Sequence, residues 1–505
     1  MNSNSRRIAK NTLLLYVRML FTMAISLYTS RVVLNTLGVT DYGIYNVVGG
    51  VVSLFTFLSG SMATATQRYI TFALGSSDGS YLKNVFSTSI LIHALLAFII
   101  IVLAETVGLW FLNNYMRIPE NRMDAAFWVY QFSIFTCVVM LMSVPYNSLI
   151  IANERMQVFA YFSILDVSLK LGIVYVLLVL SFDKLKLYAL LMFVVQLLIR
   201  IVYGLYCKRN FSEAKFCFIY NKALVRNMMG FASWNLFGSV ASITYTQGIN
   251  IILNMFFGPV VNAARGVAVQ VQGVVSGFCA NFQTAINPQI TKSYAKSDFE
   301  YMHKLVFQSS KYSYFLVLLL SMPLFLETDM ILTCWLKVVP EHTVNFLRLI
   351  LCSVLIETLA NSMMISVQAT GNIKTYQIVV GGLLLFILPV SYIALKIGMA
   401  PEAVFVVYVF FSLIAQVFRV QLVSKMISLS KKTYKEVLLP ILKVTVLASV
   451  VPLVSTFFLP RDIVGAISVC LLCVLFSALV IYTVGCDRNE KTFIRQFVVR
   501  ILKHG

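Results

Sequence analysis

The sequence predicts an all-α polytopic membrane protein with about 14 transmembrane helices. Three observations carry this. Hydrophobic residues make up 59% of the 505 and charged residues only 12%, with a mean hydropathy of +0.84, where a soluble chain would be roughly a quarter charged. Apolar runs recur at close spacing, each near the ~20 residues that carry a helix across a bilayer core and too long for the ~10-residue alternating strands of a barrel. Lys and Arg gather in alternate loops between those runs.

The runs fall at 11–36, 42–68, 85–112, 124–151, 157–180, 185–206, 224–256, 259–288, 304–326, 343–369, 375–396, 402–423, 437–459 and 462–484. The first follows the basic start "MNSNSRRIAK"; it is too long for a signal-peptide core and lacks a small-residue cleavage site, so it reads as an uncleaved span. Basic clusters follow the even-numbered runs, from Arg68 and Lys83 through Lys208, Arg209 and Lys215 to Lys425, Lys431 and Lys432. The intervening loops, such as "LGVTDYG" and "FFGPVVN", carry few. By the positive-inside rule both termini are expected in the cytoplasm. Most of the +20 net charge is thereby explained by topology, without nucleic acid as a partner.

No loop exceeds about 25 residues, too short for a separate catalytic domain. A phosphate loop ending in Gly-Lys-Ser/Thr is missing, and the pair Cys470 and Cys473 has no nearby His. No catalytic residue, cofactor or metal is expected.

The chain repeats itself. "TQRYITFALGSSDGSYLK" and "INPQITKSYAKSDFEYMH" align at a shift of 220, matching Ile70/Ile290, Thr71/Thr291, Ser77/Ser297, Asp78/Asp298 and Tyr81/Tyr301. Gly38/Gly258, Val47/Val267 and Ala65/Ala285 keep the register, and "IIANERMQVF" resembles "VQATGNIKTY" with Ala152 opposite Ala369. A repeat of six spans preserves orientation, so two parallel six-helix copies are expected, as in transporters that rock two lobes around a central site. The expected division is an N-terminal lobe at 1–210, a C-terminal lobe at 211–430, two extra helices at 431–485 and a basic cytoplasmic tail at 486–505.

At 100° per residue, four spans carry one-sided polar stripes. Asn11, Arg18, Thr22, Ser26 and Thr29 mark span 1; Asn46, Gly49, Ser53, Thr56, Gly60, Thr64 and Gln67 mark span 2. Span 7 gives Asn235, Ser239, Ser242, Thr246 and Asn250, and span 8 gives Arg265, Gln272, Ser276, Gln283 and Asn287. Small polar residues also serve tight helix packing. Matched stripes carrying Asn, Gln and Arg favour a wet groove, since polar groups inside a bilayer face protein or water. Asp166 and Lys170 are spaced for a helical ion pair, and Asp166 and Glu357 are the candidates for coupling ions.

The run "SRVVLNTLGVTDYGIYNVV" through "ATATQRYITFALG", then "PYNSLIIANERMQVFAYFSILD", resembles the polysaccharide-flippase branch of the multidrug/oligosaccharidyl-lipid/polysaccharide exporter superfamily. The resemblance implies a V-shaped pair of lobes that flips polyprenyl-diphosphate-linked oligosaccharide by alternating access in the bacterial cytoplasmic (inner) membrane. Membrane lipid and the polysaccharide polymerase machinery are the further partners it implies. Arg18 and Arg265 are then expected at the anionic headgroup, with Asn46, Gln67, Asn235, Gln272 and Gln283 at sugar hydroxyls. This chain departs from the family in having no basic residue inside span 7 beyond Arg226 at its basic, loop-facing start. A cation-coupled multidrug exporter of the same fold is the alternative. A glycosyltransferase or polymerase is disfavoured by the short loops.

Overall fold

The computed structural model describes residues 3–53, 56–76, 78–116, 118–179, 182–214, 217, 221–336, 339–460, 462–488, 490–492 and 495. Leu54 and Phe55, inside the second predicted span, lie outside that set, as do the side chains of Ser53 and Thr56. The described residues are helical almost throughout and fall into two compact units, one of Arg7–Ser239 with Tyr294–Ser297, the other of Met1–Arg6, Val240–Ser293 and Asp298–Gly505.

The first unit is built on α1 (Ser3–Ser53), α2 (Thr56–Ser76), α3 (Gly79–Leu103), α4 (Leu109–Tyr115), α5 (Met123–Ala152), α6 (Met156–Val179), α7 (Lys184–Asn210) and the start of α8 (Lys222–Phe257). A π turn at Ala104–Gly108 joins α3 to α4. The Tyr130 hydroxyl donates to the Ala104 carbonyl there (2.7 Å), which also accepts from the Leu109 amide. Its core runs through Ile100, Val129, Tyr130, Ile134 and Leu141, packing α3 on α5.

The second unit takes the rest of α8, then α9 (Pro259–Ala295), α10 (Phe299–Leu326), α11 (Thr328–Leu336), α12 (Thr343–Thr370), α13 (Lys374–Tyr376), α14 (Gly382–Lys396), α15 (Ala403–Met426), α16 (Lys431–Phe458) and α17 (Ile463–Val480). One core joins α8, α9, α12 and α15 through Leu253, Ala268, Phe346, Ile350 and Phe405. A separate cluster, including Phe315, Leu318, Val444 and Cys473, seats α16 and α17 on α10.

Among the described residues, twelve helices are long and apolar enough to cross a membrane. Two predicted spans are outside this set: 42–68, which is interrupted by Leu54 and Phe55 outside the described residues, and 259–288. The second lies within α9, whose 37 residues rise about 55 Å at ~1.5 Å each, ample for a bilayer core. Its Arg, Asn and Gln residues, not its length, hold its hydropathy down.

The repeat is written into the backbone. Gly38 and Gly258 both have φ of +78°, each breaking a long helical stretch at the same register position. At Gly38 ψ is 166°, a combination open essentially to glycine alone. Asp78 and Asp298 both cap the following helix, accepting from the Tyr81 amide (2.9 Å) and the Tyr301 amide (3.1 Å). In the second pair of similar loops Glu154 and Gly371, 217 apart, both take positive φ at a helix C-terminus.

Candidate functional site

In the first unit, Arg18 projects from α1 over the Phe159 ring of α6, its guanidinium carbon 4.6 Å from the ring centre. Its Nε is buried with no hydrogen-bond partner among the described residues. A guanidinium is planar and always charged, so a buried unpaired N–H is a costly feature unless something else meets it. Asp166 accepts from Lys170 (2.8 Å), the ion pair its spacing predicts, while its second oxygen, Oδ1, is buried and unpartnered among the described residues. At the basic end of α1, Asn11 donates to the Glu154 carbonyl (3.4 Å) and Arg7 pairs with the Glu154 carboxylate (2.8 Å).

The stripe amides divide by surroundings. Asn46 is exposed and donates to the Tyr42 carbonyl of its own helix (2.8 Å). Gln67 is half-buried, and Asn235 is buried on α8. In the second unit Gln272 is half-buried on α9, while Gln283 is buried and donates to the Ser313 hydroxyl of α10 (3.3 Å). Several stripe hydroxyls back-bond to their own helix, Thr22 to Met19, Thr64 to Gly60 and Thr246 to Ser242, which satisfies the hydroxyl without a second helix.

Arg265, 8% exposed, is held from two sides: Nη1 donates to Asn250 Oδ1 (3.2 Å) and Nη2 to the Thr246 carbonyl (2.8 Å). Both partners are on α8, so the stripes of spans 7 and 8 meet at this guanidinium. Its Nε stays buried and unpartnered among the described residues.

Glu357 sits in the middle of α12 within a three-helix chain of hydroxyls. The Tyr408 hydroxyl of α15 donates to the Glu357 carboxylate and accepts from the Tyr245 hydroxyl of α8 (3.0 Å). The two tyrosine rings stack at 5.2 Å. Arg419, further along α15, lies within electrostatic reach of Glu357, with Nε and Nη1 buried and unpartnered among the described residues. Sequence reasoning picked out Glu357 but missed Tyr245, Tyr408 and Arg419. Only Arg419, a cation within an apolar run, carried a signal that could have been read.

Two further cations, Arg68 among them from the basic cluster after span 2, rest on rings. Arg68 lies over Tyr69 and Phe72, at 4.5 and 4.8 Å, and Arg200 stacks on Tyr146 at 3.8 Å. Among the described residues no group of three His, Cys, Asp or Glu could hold a metal ion.

Comparison with solved structures places the fold. A point mutant of a MATE matches with a TM-score of 0.72 at 12% identity, covering 83% of this chain and 96% of that one. A MATE in the bent conformation also gives 0.72 at 12%, over 86% and 99%. A MOP superfamily transporter from Pyrococcus furiosus, whose binding pocket has reversed polarity suggesting a different function, gives 0.68 at 13%, over 83% and 96%. At such identities the likeness speaks for the fold, a MATE-like helical transporter fold. No curated protein matches the chain by sequence. Residues 8–294 match the family model described as polysaccharide biosynthesis protein. With 287 of its 505 residues inside that match, the chain belongs to the polysaccharide biosynthesis protein family.

Proposed function

We propose that this protein flips polyprenyl-diphosphate-linked oligosaccharide across the bacterial cytoplasmic membrane by alternating access, with both termini cytoplasmic. The observation that carries the reading is the pairing of a polysaccharide-biosynthesis family with a MATE-like transporter fold. A transporter, rather than an enzyme, is what this pairing points to. The physical need is plain. Sugar hydroxyls and a diphosphate cost several kcal/mol or more each to strip of water in hydrocarbon, so the headgroup requires a polar path while its tail stays in lipid. The segments 42–68 and α9, which carry polar stripes in matching register, are suited to line that path.

In this reading Arg18 and Arg265 meet the anionic diphosphate, each through an N–H that lacks a partner among the described residues. Asn46, Gln67, Asn235, Gln272 and Gln283 exchange hydrogen bonds with sugar hydroxyls. The test is flipping of polyprenyl-diphosphate glycans in vesicles reconstituted with the full chain. R18A is expected to abolish flipping at unchanged protein level; normal flipping by that variant removes Arg18 from the mechanism.

One observation favours a coupled second reading, a cation-driven cycle. Glu357 lies deep in α12 with a tyrosine chain leading to it, and intramembrane carboxylates of this kind mark ion pathways. Asp166, with one oxygen unpartnered among the described residues, is the equivalent candidate in the first unit. Flipping that is indifferent to proton and sodium gradients, in wild type and in E357Q alike, dismisses this coupling and leaves the flippase reading standing.

A further inference from the structure

A cavity of about 510 Å³ lies in the second unit where α10, α11 and α12 meet α16 and α17. Its size is within the ~300–1,000 Å³ of small-molecule sites. It sits at the end of the unit where α10 and α16 finish and α12 and α17 begin, opposite the basic loops before α10 and α16. With these helices spanning a membrane, this level is the lipid–water boundary.

The lining has an unusual charge set. Glu327 ends α10, Asp329 opens α11, Asp462 caps α17, and Arg348 faces them from α12. Glu327 and Asp329 make no side-chain hydrogen bond or ion pair among the described residues, and Asp462 uses one oxygen on the Gly465 amide (2.7 Å). Arg348 is anchored by Nε alone, to the Phe325 carbonyl (3.0 Å) and the Thr328 hydroxyl (3.4 Å). Both terminal nitrogens of its guanidinium remain uncommitted among the described residues. Beside these charges the wall is apolar: Phe325, Leu453, Phe457 and Val469. Phe457 and Leu453 are 77% and 48% exposed, turned toward whatever surrounds the helix.

We propose that this cavity binds the headgroup of an aminophospholipid, a phosphodiester bearing a primary ammonium. The free fork of Arg348 takes the phosphate oxygens, a bidentate match of planar donor and anion. The ammonium donates to carboxylates of this wall, drawn from Glu327, Asp329 and Asp462 and not all three at once. The acyl chains leave along Leu453 and Phe457. One guanidinium among three carboxylates leaves two negative charges in excess, so an anionic headgroup alone is repelled. The three carboxylates are not grouped closely enough to hold a metal ion. A quaternary ammonium has no N–H to donate to these carboxylates. The site involves neither Arg18 nor Arg265 and stands independently of the flipping mechanism. It ties the α16–α17 pair to α10–α12 through a lipid.

The test is native mass spectrometry of the full chain equilibrated with equal amounts of dioleoyl phosphatidylethanolamine, phosphatidylglycerol and phosphatidylcholine. Phosphatidylethanolamine is expected to be retained over the other two, and E327Q or D329N to cut that preference about tenfold, the loss of one charge-assisted hydrogen bond. R348Q is expected to lower retention of phosphatidylethanolamine likewise. D329N changes an exposed side chain on α11 and leaves folding intact, so it remains informative if another variant fails to fold. Equal retention of the three lipids, or a preference unchanged in D329N, overturns the proposal. So does displacement of all three lipids alike by spermine, which would make the cavity a site for soluble polycations.

Discussion

Removing the Tyr408 hydroxyl tests whether the Glu357 chain is a connected unit. Tyr408→Phe deletes two interhelical bonds at once: the donor to Glu357 on α12 and the acceptor for Tyr245 on α8. Interhelical hydrogen bonds inside membranes contribute about 0.6–2 kcal/mol each, so Y408F is expected to destabilise the full chain by about 1–4 kcal/mol. Glu357→Gln keeps an acceptor for Tyr408 and is expected to cost less. If the two side chains act together, E357L/Y408F is less unstable than the sum of E357L and Y408F, by about 1–2 kcal/mol. E357L/Y408F, which removes both members of the Glu357–Tyr408 bond, is expected to recover part of the loss. Denaturation midpoints in detergent micelles, read for wild type and all variants, close the cycle. Strict additivity, or a Y408F cost under about 0.5 kcal/mol, would refute the reasoning.

Three further outcomes follow from the backbone and the helix ends. Gly38→Ala and Gly258→Ala are each expected to cost about 1–3 kcal/mol from the positive φ alone, since a Cβ at either position meets nothing within 4 Å; a neutral result at both, by denaturation, would show that the bends relax. Asp78→Ala and Asp298→Ala are each expected to lose about 0.5–2 kcal/mol while the Asn variants hold near wild type, and unequal behaviour of Ala and Asn is the diagnostic. Asp183 carries the pH dependence. Burial alone would raise its carboxyl, but hydrogen bonds from Arg122 (2.8 Å) and from the Lys186 and Leu185 amides outweigh this and hold it below the ordinary carboxylate range. Because the folded-state value is depressed, its stabilisation is full at neutral pH and above, and is lost as pH falls through the folded value. R122Q, which also frees Asp41, is expected to flatten the acid limb of a melting-temperature profile.

Helix positions, the break points and the six-span repeat were legible in the sequence, because each depends on local chemistry. Apolar run length fixes a span, glycine permits the bend at positions 38 and 258, and Asp78 and Asp298 cap whatever helix follows them. Asp166 with Lys170 was legible for the same reason, both residues being on one helical face. Pairings across helices were not. That Arg265 is held by Asn250 and Thr246, that Glu357 receives a bond from Tyr408, and that Glu327 and Asp462 share a cavity with Arg348 all depend on which faces pack together. Those partners lie from 15 to 135 residues apart in the chain. Spacing along a chain carries no record of distance across a bundle, so an isolated polar residue in an apolar run reads alike whether it meets water, substrate or a neighbouring helix. Only the packed helices decide which.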